Sequence, residues 1–195
     1  MVGWFGLDVD IRAKFKGVGM KKVIIAALLA ASSGSASASL GSKPGEMVGA
    51  WEVETVIDGF SDTKRGITHT KLGADGFLAV KCDKPGLGSL YLTFFTPKYL
   101  GSDRISSRVH GAKYRLDDAP AQDLPSPYYD GKAASIIGNK ATDLLKGLAI
   151  SSPKRFRAQF LTYDNDLAEI DVDVTGAANA IYKTAAICED TAFVQ

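Results

Sequence analysis

From residue 51 onward the chain alternates apolar and polar positions in short runs, the period of half-buried strands. In "AWEVETVID" the residues Trp51, Val53, Thr55 and Ile57 fall on one face, and Glu52 and Glu54 fall on the other. "GFSDTKRG" reads as a polar connection with a glycine at each end. "GFLAVKCD" and "SLYLTFF" are two apolar runs separated by "KPGLG", whose Pro-Gly pair signals a turn, so they predict a hairpin. "RVHGAKYRLDD" has strand-like ends around Gly111, a candidate bulge. "APAQDLPSPYY" holds three prolines in eleven residues and predicts an exposed irregular loop, and "KAASIIG" predicts a short strand.

Helical spacing enters late. "NKATDLLKGLAIS" places Leu144, Leu145 and Leu148 on one face, with Asn139 or Thr142 as N-cap. "FRAQFLTYDNDLAEIDVDV" predicts strand, turn and strand, turning at Asp164-Asn165-Asp166. "TGAANAIYKTAAICED" predicts a terminal helix capped at Thr175, with Ala177, Ile181 and Thr184 or Ala185 on the face that also carries Cys188. The pattern predicts an α+β domain: a predominantly antiparallel sheet in two layers, one short helix, and a C-terminal helix facing inward.

Upstream of this domain, "MKKVIIAALLAASSGSASAS" has the parts of a bacterial export leader. Lys21 and Lys22 supply the positive start, Val23 to Ala31 form an apolar run, and Ala36-Ser37-Ala38 is an A-x-A cleavage site before Ser39. The nine-residue run makes about 14 Å of helix, too short for a hydrocarbon core of about 30 Å. Residues 20–38 are therefore expected to be a signal peptide and 39–195 a single secreted domain. Residues 1–19 are expected to be a non-native extension from a start read too early. The residue directly after the cleavage site is Ser39 and not a cysteine, so a lipid anchor has no acceptor, and no transmembrane anchor is expected.

Cleavage takes five basic and two acidic residues from totals of 23 and 22, leaving 18 and 20 and a net charge of −2. A near-neutral surface provides no basic footprint for nucleic acid and no polybasic segment for anionic lipid. Export also gives meaning to the cysteines. Cys82 and Cys188 are the whole complement, in a compartment where disulfides persist, and they are expected to pair. The C-x-x-C spacing of redox pairs and metal sites is absent.

Candidate chemistry is sparse. His69, in "ITHTKL", reads as an exposed strand histidine, and no G-x-S-x-G elbow accompanies it or His110. Around His110, the residues Arg108, Lys113 and Arg115 form a basic cluster with Tyr114, a candidate site for an anionic or glycan ligand. A solvated strand face explains the same residues. Asp171 and Asp173 share one face of a strand and read as edge charge. "DNDLAEIDVD" lacks the sixth-position glycine and the twelfth-position glutamate of a calcium loop, and "GLGS" at 86–89 lacks the lysine and spacing of a phosphate loop. No cofactor or metal motif is recognised.

A resemblance reaches further. The order "WEVETVID", "FLAVKCD", "SLYLTFF", "VHGAKYRLDD", "LLKGLAISSPKRFRAQF" and "IDVDVTGAANAIYKTAAIC" resembles the TagO family, small exported proteins associated with type VI secretion. The shared elements are a leading tryptophan strand, an L-x-V-x-C strand, a Y-R-L-D segment and a G-x-x-x-A-I helix ending in cysteine, over about residues 51 to 188. Tyr128 and Tyr129 stand where the family often carries a tryptophan. The resemblance implies a non-catalytic periplasmic accessory or binding module, and it transfers no catalytic residues.

Three functions follow as expectations. The first is an envelope interaction module whose loop 117–130, with Tyr128 and Tyr129, contacts a protein or glycan. The second is a small hydrolase using carboxylates with Tyr114 or Tyr128. The third is a secreted inhibitor presenting the proline-rich loop. All three require export, and N-terminal sequencing of the exported product is expected to begin at Ser39; a product retaining Trp4 or Phe5 would contradict the leader.

Overall fold

The computed structural model describes residues 45–103 and 111–193. The leader, its cleavage pair Ala38 and Ser39, residues 1–19, and Arg108 and His110 lie outside the described residues. The elements run β1 (Glu46–Val48), β2 (Trp51–Ile57), β3 (Lys64–Thr70), β4 (Phe77–Lys81), β5 (Tyr91–Phe95), β6 (Gly101–Ser102), β7 (Ala112–Leu116), β8 (Gln122–Asp123), β9 (Tyr128–Gly131) and β10 (Ala133–Ile136). After them come α1 (Asn139–Ser151), β11 (Arg155–Leu161), β12 (Leu167–Asp173), α2 (Ala177–Ile187) and a single 3₁₀ turn (Thr191–Phe193).

Among the described residues the strands form two antiparallel sheets. The large one has the order β1-β2-β3-β4-β5-β10-β9-β6, and the small one β12-β11-β7-β8. The fold is α+β. Alternation gives the large sheet an inner face of Trp51, Val53, Leu78, Val80, Leu92, Phe94, Ala134 and Ile136, all buried. Phe94 meets Phe156 and Phe160 of β11 at ring separations of 5.5 and 5.3 Å, so the small sheet lies on that face. The inward face of α2, Ala177, Ala180, Ile181, Thr184 and Ala185, packs on the same side, with α1 beside it. Trp51 ties the two ends of the domain together, its indole N–H donating to the Val174 carbonyl at 3.1 Å.

Cys82, immediately after β4, is bonded to Cys188 at the C-terminal end of α2, with their Cα atoms 6.2 Å apart and a separation of 106 positions in sequence. Gly66 on β3 makes the approach possible. A Cβ there would sit 2.8 Å from the Cys188 sulfur and 3.0 Å from Thr184 Cγ2. The next turn holds the β4–β5 connection: the buried Asp190 carboxylate accepts the amides of Gly88 at 2.8 Å and Leu90 at 3.0 Å. Gly86 donates its own amide to the Cys188 carbonyl at 2.9 Å. These bonds satisfy backbone donors that would otherwise be stranded next to the core.

Several local expectations are corrected. Helix α1 is capped by Gly138, not by Asn139 or Thr142, and α2 by Gly176, not by Thr175. Both glycines take positive φ, a turn geometry that a side-chain cap does not supply. Strand β3 begins at Lys64, inside the segment expected to be a connection. Ile57, expected on the apolar face, is exposed because it closes the β2–β3 hairpin opposite Lys64, at the sheet's far end. The proline-rich stretch is not wholly an exposed loop: Gln122 and Asp123 pair with β7, and Leu124 and Pro127 are buried.

Gly66→Ala is expected to lower the urea midpoint by the equivalent of about 1–3 kcal/mol, the usual cost of overpacking where neighbours cannot retreat. An unchanged midpoint would show that the helix and the disulfide have slack.

Candidate functional site

Among the described residues, those singled out in the sequence do not converge on one surface. Strand alternation on β7 sends Lys113 and Arg115 outward from the small sheet and turns Tyr114 the other way, stacked on Phe156 at 5.5 Å. Its hydroxyl donates to Gln122 Oε1 at 3.0 Å, and burial pushes its pKa up. Tyr129 corrects the expected binding loop most sharply. It is fully buried, edge-on to Phe160 at 6.3 Å, and burial, reinforced by Asp103, raises its phenol above the ordinary range. It cannot face a partner. Tyr128, one position along β9, is exposed on the opposite face of the large sheet.

Lys113 and Arg115 border a shallow groove of about 340 Å³ on the outer face of the small sheet, together with Arg157, Gln159, Glu169 and Asp171. The charges there are largely answered from within. Arg155 holds Asp171 through two hydrogen bonds, which keep that carboxyl below its usual range. Arg157 reaches the Asp117 carbonyl at 2.6 Å and the Asp118 carboxylate at 3.6 Å, and Gln159 donates to Glu169 at 2.8 Å. Asp171 and Asp173 lie on β12, at the edge of the small sheet, as the sequence predicts.

The outer face of the large sheet is different. One row across it runs Glu52, His69, Ala79, Thr93, Ser135 and Tyr128; a second runs Glu54, Ile67, Lys81 and Tyr91; a third pairs Phe77 with Phe95. Phe77 and Phe95 stack at 4.5 Å, close to the spacing of neighbouring strands, so the rings stand upright side by side. Lys81 places its ammonium 5.2 Å from the Tyr91 ring centre and 5.5 Å from that of Phe95. Tyr91 donates to Asp83 at 2.8 Å; burial first, and that bond second, raise its pKa. Phe77 and Phe95 thus cover one face of each other, and the Lys81 cation lies over Tyr91 and Phe95.

At one corner of this face Glu52, Glu54 and His69 bring one donor atom each to within 4.8 Å of one another. His69 is half-buried there, not the exposed strand histidine that the sequence suggested. The signal for this grouping was an E-x-E on one strand and a histidine on the next. Only the β2–β3 register, which sets His69 opposite Glu52, turns that signal into a cluster.

Comparison with protein-family models, curated proteins and solved structures finds no match to this chain. Among the described residues no helix is long and apolar enough to cross a membrane.

Proposed function

We propose that this chain is a non-enzymatic binding module of the bacterial envelope, an accessory of the kind that its resemblance to the TagO family implies, delivered there by the leader at residues 20–38. The Cys82–Cys188 bond is compatible with an oxidising, extracytoplasmic compartment. The contact surface in this reading is the outer face of the large sheet, not loop 117–130 as a whole; of its two tyrosines, Tyr128 belongs to the surface and Tyr129 to the core.

One observation carries the reading. The half-buried Ile67, Phe77, Tyr91 and Phe95 form a patch edged by Glu52, Glu54, His69 and Lys81, the apolar centre and polar rim of a protein interface. A saccharide stacks on open ring faces, whereas here Phe77 and Phe95 each cover a face of the other and Lys81 lies over Phe95 and Tyr91. The partner in this reading is a protein.

The test places a photo-crosslinking amino acid at position 67 or 95, and at position 113 on the other sheet, in the full-length exported chain. The expected result is a discrete protein adduct from 67 and 95, and none from 113. Adducts confined to 113, adducts that resist protease as a glycan would, or no adduct at any position would overturn the proposal.

A further inference from the structure

Alternation on β2 projects Glu52 and Glu54 from the same face, and the antiparallel register places His69 of β3 across from Glu52. His69 Nε2 stands 3.9 Å from Glu52 Oε2 and 3.7 Å from Glu54 Oε1. The other ring nitrogen, Nδ1, lies 3.0 Å from the Thr70 carbonyl oxygen. A carbonyl only accepts, so Nδ1 carries the proton and donates it. In the neutral ring this leaves Nε2 as a lone pair, aimed at two carboxylates. With Nε2 unprotonated, three acceptors face one another with no donor between them, so either a proton on Nε2 or a bound cation has to supply the positive charge at their centre.

We propose that Glu52, Glu54 and His69 form a binding site for a divalent transition-metal ion of the zinc type. One imidazole nitrogen with two carboxylate oxygens suits zinc, whereas calcium needs six or more oxygens and magnesium a near-complete octahedron of them. Ligands about 2.1 Å from a tetrahedral zinc ion are about 3.4 Å apart, against 3.9 and 3.7 Å from His69 Nε2 to the two glutamate oxygens, with all three donor atoms within 4.8 Å of one another. The backbone bond at Nδ1 is the outer support that metal-bound histidines use to fix ring orientation and tautomer. Phe77 braces the ring further, edge-on at 6.1 Å. Three protein ligands leave a fourth position to solvent or to a partner's side chain.

The experiment uses the untagged domain from Ser39 onward as exported, oxidised and stripped of metal, and titrates it with Zn²⁺ by calorimetry and with Co²⁺ by visible absorption near pH 7.5. The expected result is one equivalent bound, a four-coordinate Co²⁺ spectrum, and a Zn²⁺-induced shift of the His69 imidazole nitrogens in NMR. His69→Gln and Glu54→Gln are each expected to weaken binding at least about tenfold, and His110→Ala to leave it unchanged. The NMR measurement on the unsubstituted chain keeps the result independent of how the variants fold. Absence of saturable binding below about 1 mM, binding that follows His110, or binding unaffected by His69→Gln would overturn the site; a proton alone between the three side chains would give the first of these results. None of these outcomes depends on the partner sought by crosslinking.

Discussion

Gly66 leaves β3 without a side chain at the place where α2 ends, and Cys188 comes down through that gap to bond Cys82. The C-terminal end of α2 is thereby held against the middle of the large sheet. In the chain-entropy account, closing a loop of roughly 100 residues is worth about 4.7 kcal/mol, comparable to the net stability of a whole small domain. The neighbouring contacts use the same fixed point. Asp190 follows the cysteine by two residues and captures the amides of the β4–β5 connection, so the order of that loop is conditional on where the helix ends.

The inner layer determines which face of the large sheet is left for binding. The small sheet and α2 take up the face that carries Trp51, Leu78 and Phe94, and the opposite face keeps Glu52, His69, Phe77, Lys81 and Phe95. The proposed interaction surface and the proposed cation site are both products of this one-sided cover. On the small sheet's own outer face Arg155 pairs with Asp171 and Gln159 donates to Glu169, so these groups are already engaged within the sheet.

Local signals were legible wherever period or turn chemistry decided the outcome. The Trp51 strand, the β4–β5 hairpin, the turn at Asp164 to Asp166 and the inward face of α2 followed from spacing alone, and the cysteine pair followed from counting. What escaped depended on register or on cover. Tyr128 and Tyr129 are equivalent in composition, and only the position of the second layer makes one a surface residue and the other a core residue. Lys113, Tyr114 and Arg115 looked like one cluster because they are close in sequence, although adjacent strand residues point to opposite faces. Glu52, Glu54 and His69 looked unrelated for the opposite reason: they are separated along the chain and joined by the pairing of β2 with β3. The helix caps fell to glycines whose positive φ no side-chain rule anticipates.

Hydrogen exchange on the oxidised and the reduced domain, compared under the same native conditions, tests the central role of the Cys82–Cys188 bond most directly. The account predicts that reduction strips protection first from the amides of α2 and the β4–β5 connection, while the pairing of β11 with β12 persists. Equal protection throughout α2 in both forms would contradict it, because the helix would then be held by packing alone.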